Sequence, residues 1–282
     1  MMQKQYRDIE NSISQIVELL EEKKDEPEYK GLYKGITTLL SPLIKDVDIL
    51  FLGINSGSGA WIEKNPTGET NFTPLRMLGQ DEYFFNHNDW FKENTSRGSW
   101  GEGKENKGYE WYQRDKPINN IFPARMIDLL YLIAQKEYPD VSVTNSSAPS
   151  WAEDIQKRIM YTNLYPIITD NTEKLKKVFT QLSKEESLKE IWDTSKKRVS
   201  KWDIQKYFVE NTHKLVNLVQ PKVIVCLGIQ AYNDFTYTNC SKKTKIFETT
   251  YNGIPIIGFD RRGNWSGLLP ELSDKICNYM KK

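Results

Sequence analysis

Asp48-Ile-Leu-Phe-Leu-Gly-Ile54 leads directly into Asn55-Ser-Gly-Ser-Gly59, and this junction decides the fold. A short, unbroken apolar run ending in small polar residues reads as a strand buried on both faces, feeding a glycine-rich turn. Three further runs share the pattern. Ile159-Met-Tyr-Thr-Asn-Leu-Tyr-Pro-Ile167 carries a closing proline, Lys222-Val-Ile-Val-Cys-Leu-Gly228 is apolar after its first residue, and Ile254-Pro-Ile-Ile-Gly-Phe259 leads into Asp260–Gly267. Helical material lies between them: a stripe Met126, Leu129, Leu130, Ile133, charged stretches 173–190 and 202–219, a start at Gln230–Phe235 and a last helix near 268–280. Strands alternating with helices predict an α/β fold of three layers, α/β/α, around a mostly parallel four-stranded sheet, because right-handed crossovers lay helices on both faces. Ligands in such sheets sit beyond the carboxyl ends of the strands. The loops after residues 54, 162, 228 and 259 are therefore the ones to inspect.

Outward from these strands, the 282 residues predict a single domain over 1–282. Ile9, Ile13, Ile16, Leu19 and Leu20 recur at helical spacing and predict an N-terminal helix over about 3–24. Residues 60–121 are rich in Gly, Asn, Trp, Tyr and Phe without a sustained period, and are expected to form an ordered functional insertion. Its aromatic cluster 83–91 would make either a small core or a surface for a protein partner. Lys and Arg number 39 against 38 Asp and Glu, a net charge of +1, so any contact with nucleic acid must come from a local patch. Cys226, Cys240 and Cys277 are too widely spaced for a CxxC pair and suggest neither a disulfide framework nor an iron–sulfur site. The polar start lacks the apolar core of a secretory leader, and no stretch reaches the roughly 18 apolar residues that span a bilayer. A cytoplasmic protein without membrane association is expected.

The first post-strand loop fits neither common catalytic loop. Gly53–Gly59 contains no GxxxxGK[ST] or GxGxxG, and neither Ser56 nor Ser58 is flanked by the glycines of a nucleophile elbow. What remains is the amide of Asn55 at the end of a central strand. An amide is no base at neutral pH, but it can hold a water and donate to a developing anion. Asn163, in Tyr161-Thr-Asn-Leu-Tyr-Pro166, repeats the device on the second strand. Its paired donor and acceptor suit the edge of a pyrimidine, where C=O stands beside N–H.

The ordered set of segments resembles the uracil-DNA glycosylase superfamily. Strand–Gly-Ile-Asn–x–Gly resembles its first motif, written Gly-x-Asn-Pro-Gly in the mismatch-specific and single-strand-selective branches. Thr162-Asn-Leu-Tyr-Pro166 resembles the segment that reads the base edge, and Pro221–Ala231 the third strand with its turn. The resemblance covers roughly 48–78, 155–168 and 220–270. It implies hydrolysis of an N-glycosidic bond in single-stranded or mismatched DNA, with the target nucleotide flipped from the stack. In that scheme Phe72, in Asn71-Phe-Thr-Pro74, stacks on the base, Asn163 bonds its edge, and Gly53 and Ile54 line its site. Asn55 positions the water, and Asp260 stands in the second catalytic motif. Arg261, Arg262, Asn264, Trp265 and Ser266 form the DNA-contacting loop. No metal or organic cofactor is implied.

The sequence departs from that pattern at two places. Ser56 and Ser58 replace residues that are commonly prolines or small, and Phe259-Asp260 stands near the usual place of a histidine. The only histidines are His87 and His213. A second reading is therefore a glycosylase-like module that binds a nucleotide, nucleic acid or protein without catalysis. A third, an esterase-like hydrolase using Ser56 or Ser58, lacks the elbow and a post-strand histidine.

Overall fold

The computed structural model describes residues 2–33, 35–36, 38–39, 41, 43–57, 63–64, 70–71, 121–138, 141, 150–192, 199–240, 245–261 and 265–281. It has an α/β fold on a mostly parallel central sheet, consistent with an α/β/α layering. The sheet has five strands where the sequence suggests four. The chain divides into two compact units, one of Met1–Leu39, Gly53–Tyr83 and Asn163–Leu218, the other of Leu40–Leu52, Phe84–Thr162 and Val219–Lys282.

The sheet is built from β1 (Ile49–Gly57), β4 (Ile159–Thr169), β5 (Val223–Cys226), β6 (Ile246–Tyr251) and β7 (Ile254–Phe259), in the order β4-β1-β5-β7-β6. β2 (Glu63–Lys64) and β3 (Thr70–Asn71) make a separate antiparallel pair. Within the second unit β1 and β5 run parallel from Ile49↔Val223 to Leu52↔Cys226, and β5 and β7 run parallel from Ile224↔Ile256 to Cys226↔Gly258. Leu50, Phe51, Leu52 and all of β5 are fully buried. Each such aliphatic or aromatic side chain contributes about 1.5–3 kcal/mol of burial. Phe51 stacks on Tyr161 of β4, with centroids 4.9 Å apart. The fifth strand, β6, pairs antiparallel with β7 across Asn252 and Gly253, whose φ values are 50° and 83°. Two positive φ values in a two-residue loop define the tight turn whose twist suits a hairpin.

The amino-terminal end of the sheet is fixed by charge. The Asp48 carboxylate is buried and pairs with Arg158 Nε and, at 3.0 Å, with Lys222 Nζ. Lys222 Nζ also donates to the Met280 carbonyl at 3.0 Å. This unit's helices are α3 (Ile121–Glu137), α4 (Ser150–Lys157), α7 (Ile229–Thr236) and α8 (Leu269–Met280). Tyr232 of α7 packs close against Gly258 of β7, which has no side chain there; a Cβ would overlap the tyrosine.

In the first unit the predicted N-terminal helix is two helices, α1 (Met2–Asn11) and α2 (Ser14–Lys23). Ser12 Oγ donates to the Ile9 carbonyl at 2.6 Å and Ser14 Oγ to that of Asn11 at 2.9 Å. Such bonds offer the backbone an alternative to the helical ladder, and Ile13 sits at φ −104°, ψ 0°. The other helices are α5 (Thr172–Leu182) and α6 (Lys201–Val219). Asn171 caps α5, its side chain accepting from Lys174 N at 2.9 Å. Tyr165 of β4 meets Phe179 of α5 edge-on at 5.1 Å, and Phe179 reaches Phe208 of α6 at 5.9 Å.

β4 runs through Pro166 to Thr169 rather than closing there, with every residue buried. Proline is tolerated because β4 is the last strand of the sheet, where one edge needs no ladder donor. A neighbouring stretch serves that strand. In the second unit Tyr161 N donates to Ser41 Oγ at 2.8 Å, and in the first Ile168 N donates to the Gly35 carbonyl at 2.8 Å. Among the described residues no helix is long and apolar enough to cross a membrane.

Candidate functional site

Asn55 lies inside β1, which stays extended to Gly57, so the strand does not end at Ile54 as the sequence suggests. The apolar run ends at Ile54, and β4 is the neighbour of β1 in the sheet. Gly53 and Asn55 are half-buried and Ile54 is buried. Asn55 Nδ2 donates to Thr169 Oγ1 at 3.0 Å, and Thr169 Oγ1 donates in turn to the Asn171 carbonyl at 2.8 Å. The hydroxyl gives its only proton to that carbonyl and can therefore only accept from Asn55. This chain of bonds fixes which end of the Asn55 amide is which. The NH2 faces Thr169, and the carbonyl oxygen faces the other way as an acceptor. Sequence reading missed Thr169, because nothing in a strand-end threonine marks it as the partner of a residue 114 positions earlier.

Asn163 shares this unit and is 8% exposed. It stands on β4 next to Leu164, whose carbonyl accepts from Thr212 Oγ1 of α6 at 3.2 Å. Phe72, the expected stacking aromatic, lies outside the described residues, as do Arg262, Asn264 and His87. His213 lies half-buried on α6 of the first unit.

Asp260, Arg261, Trp265 and Ser266 belong to the second unit. Asp260 follows β7 and its N–H donates to the Lys245 carbonyl at 3.1 Å, which holds the chain extended past the strand. Arg261 keeps exposed surface, yet its side chain lies along Gly228 at the start of α7. Burial lowers the guanidinium's pKa from its ordinary value, but an arginine in a protein stays charged. Trp265 opens a short 3₁₀ turn and is buried, its indole 5.0 Å from the Phe259 ring. Its place in the molecule is that of a packing anchor which ties the loop's far end to β7. Ser266 is half-buried beside it in sequence. Cys226 is fully buried in β5, and burial pushes its thiol well up from the ordinary range. It is an inert core residue.

Among the described residues no group of three or more His, Cys, Asp or Glu is placed to hold a metal ion. Among the described residues, the first unit presents the neutral amides of Asn55 and Asn163, and the second unit presents Asp260 after β7 and Arg261. No family model and no curated protein matches this chain.

Proposed function

We propose that this chain is a DNA N-glycosylase that hydrolyses the bond between deoxyribose and uracil or a related altered base. The observation that carries the reading is the Asn55–Thr169–Asn171 chain of hydrogen bonds at the carboxyl half of β1. It holds a neutral amide with its acceptor turned away from its anchor, as a group that positions water must be held. A strong base is not demanded by this reaction, because the sugar carbon becomes cationic as the base leaves and attracts a weakly activated water. Asn163 would accept from and donate to the base edge. Asp260 and Arg261, on the second unit, keep the roles that the resemblance implies, in the second catalytic motif and in the DNA-contacting loop. The flipped nucleotide costs a few kcal/mol of unstacking, least in single strands and mismatches. DNA in those forms is the proposed partner, and the reaction needs no cofactor.

The test is strand scission. Purified protein is incubated with labelled oligonucleotides carrying uracil, single-stranded or opposite guanine or adenine, and then treated with alkali. Cleavage at uracil that falls about 10²-fold or more in Asn55→Ala is expected, since misplacing a reacting group is worth that much. Folded wild-type protein that cleaves none of a panel of altered bases would overturn the catalytic reading. Binding without release would then favour the non-catalytic module.

A further inference from the structure

Gly228 ends the turn after β5 with φ 128° and ψ 155°, a region that only glycine enters readily. Its N–H donates to the Cys226 carbonyl at 2.9 Å, and its own carbonyl accepts from Tyr232 N at 3.1 Å, the first bond of α7. A Cβ built on it would touch three consecutive atoms of one side chain and nothing nearer: Arg261 Nε at 3.4 Å, Cδ at 3.5 Å and Cγ at 3.6 Å. The Arg261 side chain is thus laid lengthwise across the bare face of Gly228. The register explains the meeting, since Cys226 pairs with Gly258. The residues just past those two positions leave the sheet at the same end.

We propose that Gly228 is a positioning residue for DNA binding: its missing side chain seats Arg261 across the carboxyl end of β5, where the guanidinium takes one phosphate of the bound strand. This rests on the glycosylase reading for the nature of the ligand. The seat itself is a matter of geometry. An arginine carries many rotamers in water, and a surface that accepts its stem reduces the freedom lost when the guanidinium meets a phosphate.

The experiment is fluorescence anisotropy of a labelled single-stranded oligonucleotide carrying one uracil, titrated with full-length protein over a series of salt concentrations. Arg261→Ala is expected to weaken binding several-fold at low salt and to reduce the slope of log K against log salt by about 0.7, the value of one phosphate contact on a single strand. Gly228→Val, whose branches enter the space of the Arg261 stem, should reproduce both changes, and adding Arg261→Ala to it should change nothing more. Gly228→Ala is the control for backbone strain. Its Cβ meets Arg261 only at ordinary contact distance, so its melting temperature falls while its salt slope stays that of wild type. If Gly228→Val does not fold, Gly228→Ser is measured in its place, with the same loss expected. A wild-type slope in the bulky variant, or effects of the two substitutions that simply add, overturns the proposal and leaves the glycosylase reading standing. No wild-type binding to the oligonucleotide overturns both.

Discussion

A hydroxyl carries one proton, and at Thr169 that proton goes to the Asn171 carbonyl. The consequence falls on Asn55, whose amide can then point only one way. Thr169→Val keeps the shape of the side chain and removes this constraint. It is expected to lower stability by about 1–3 kcal/mol, the worth of the two hydrogen bonds that the hydroxyl makes. Its larger effect should be on kcat in the strand-scission assay, and a double-mutant cycle with Asn55→Ala should show the two substitutions failing to add. Equal kcat in wild type and Thr169→Val would remove the orienting role. Asn55 stands out in the sequence as an amide at the end of an apolar run, and Asn163 as an amide inside one. Thr169 does not, since only folding brings it to Asn55. Trp265 shows the opposite failure: an aromatic in a polar loop says nothing about which way its ring turns, and here it turns inward onto Phe259.

At the scale of elements, β5 and β7 lie close to their expected bounds, because continuous apolar runs buried on both faces leave little choice of period. β6 escaped notice. Only Phe247 is buried along it, so it has no apolar alternation to read. Its signal was the Asn252-Gly253 pair, whose conformational preference makes a hairpin turn regardless of the strands' polarity. β6 is held from outside by α8: Lys275 Nζ pairs with Glu248, and Tyr279 Oη donates to it at 2.9 Å. The hydrogen bond from Lys275 holds the Glu248 carboxyl below its ordinary value of 4.5. A lowered folded-state pKa means stability that is present above the unfolded value and lost as pH falls through the folded one. The wild type should therefore lose stability relative to Glu248→Gln as pH drops below 4.5. The difference stays within about 1 kcal/mol because the pair is partly exposed. Denaturant titrations of both proteins across that range check this; parallel curves would mean the pair contributes nothing.

The whole molecule carries a net charge of only +1, so on the proposed reading Arg261 and its seat would matter more than they would on a broadly basic surface. Composition made that legible. The division into two units was not, because each is assembled from three separated stretches of chain and no linker announces a boundary. The same interleaving appears in the pairing of β1 with β5, whose partners stand more than half the chain's length apart in sequence. The hairpin β6–β7 and the neighbouring β5 require only short closures. Loop-closure entropy rises with separation, and non-local pairings form late and slowly. We therefore expect an order of assembly: amides of 246–259 should gain protection from hydrogen exchange before those of 49–52 in pulse-labelled refolding. Simultaneous protection would contradict it. In a chain emerging amino-terminus first, the apolar run that becomes β1 would then wait, without its β5 partner, until more than two hundred residues have been synthesised. During that interval it is a natural client for a chaperone.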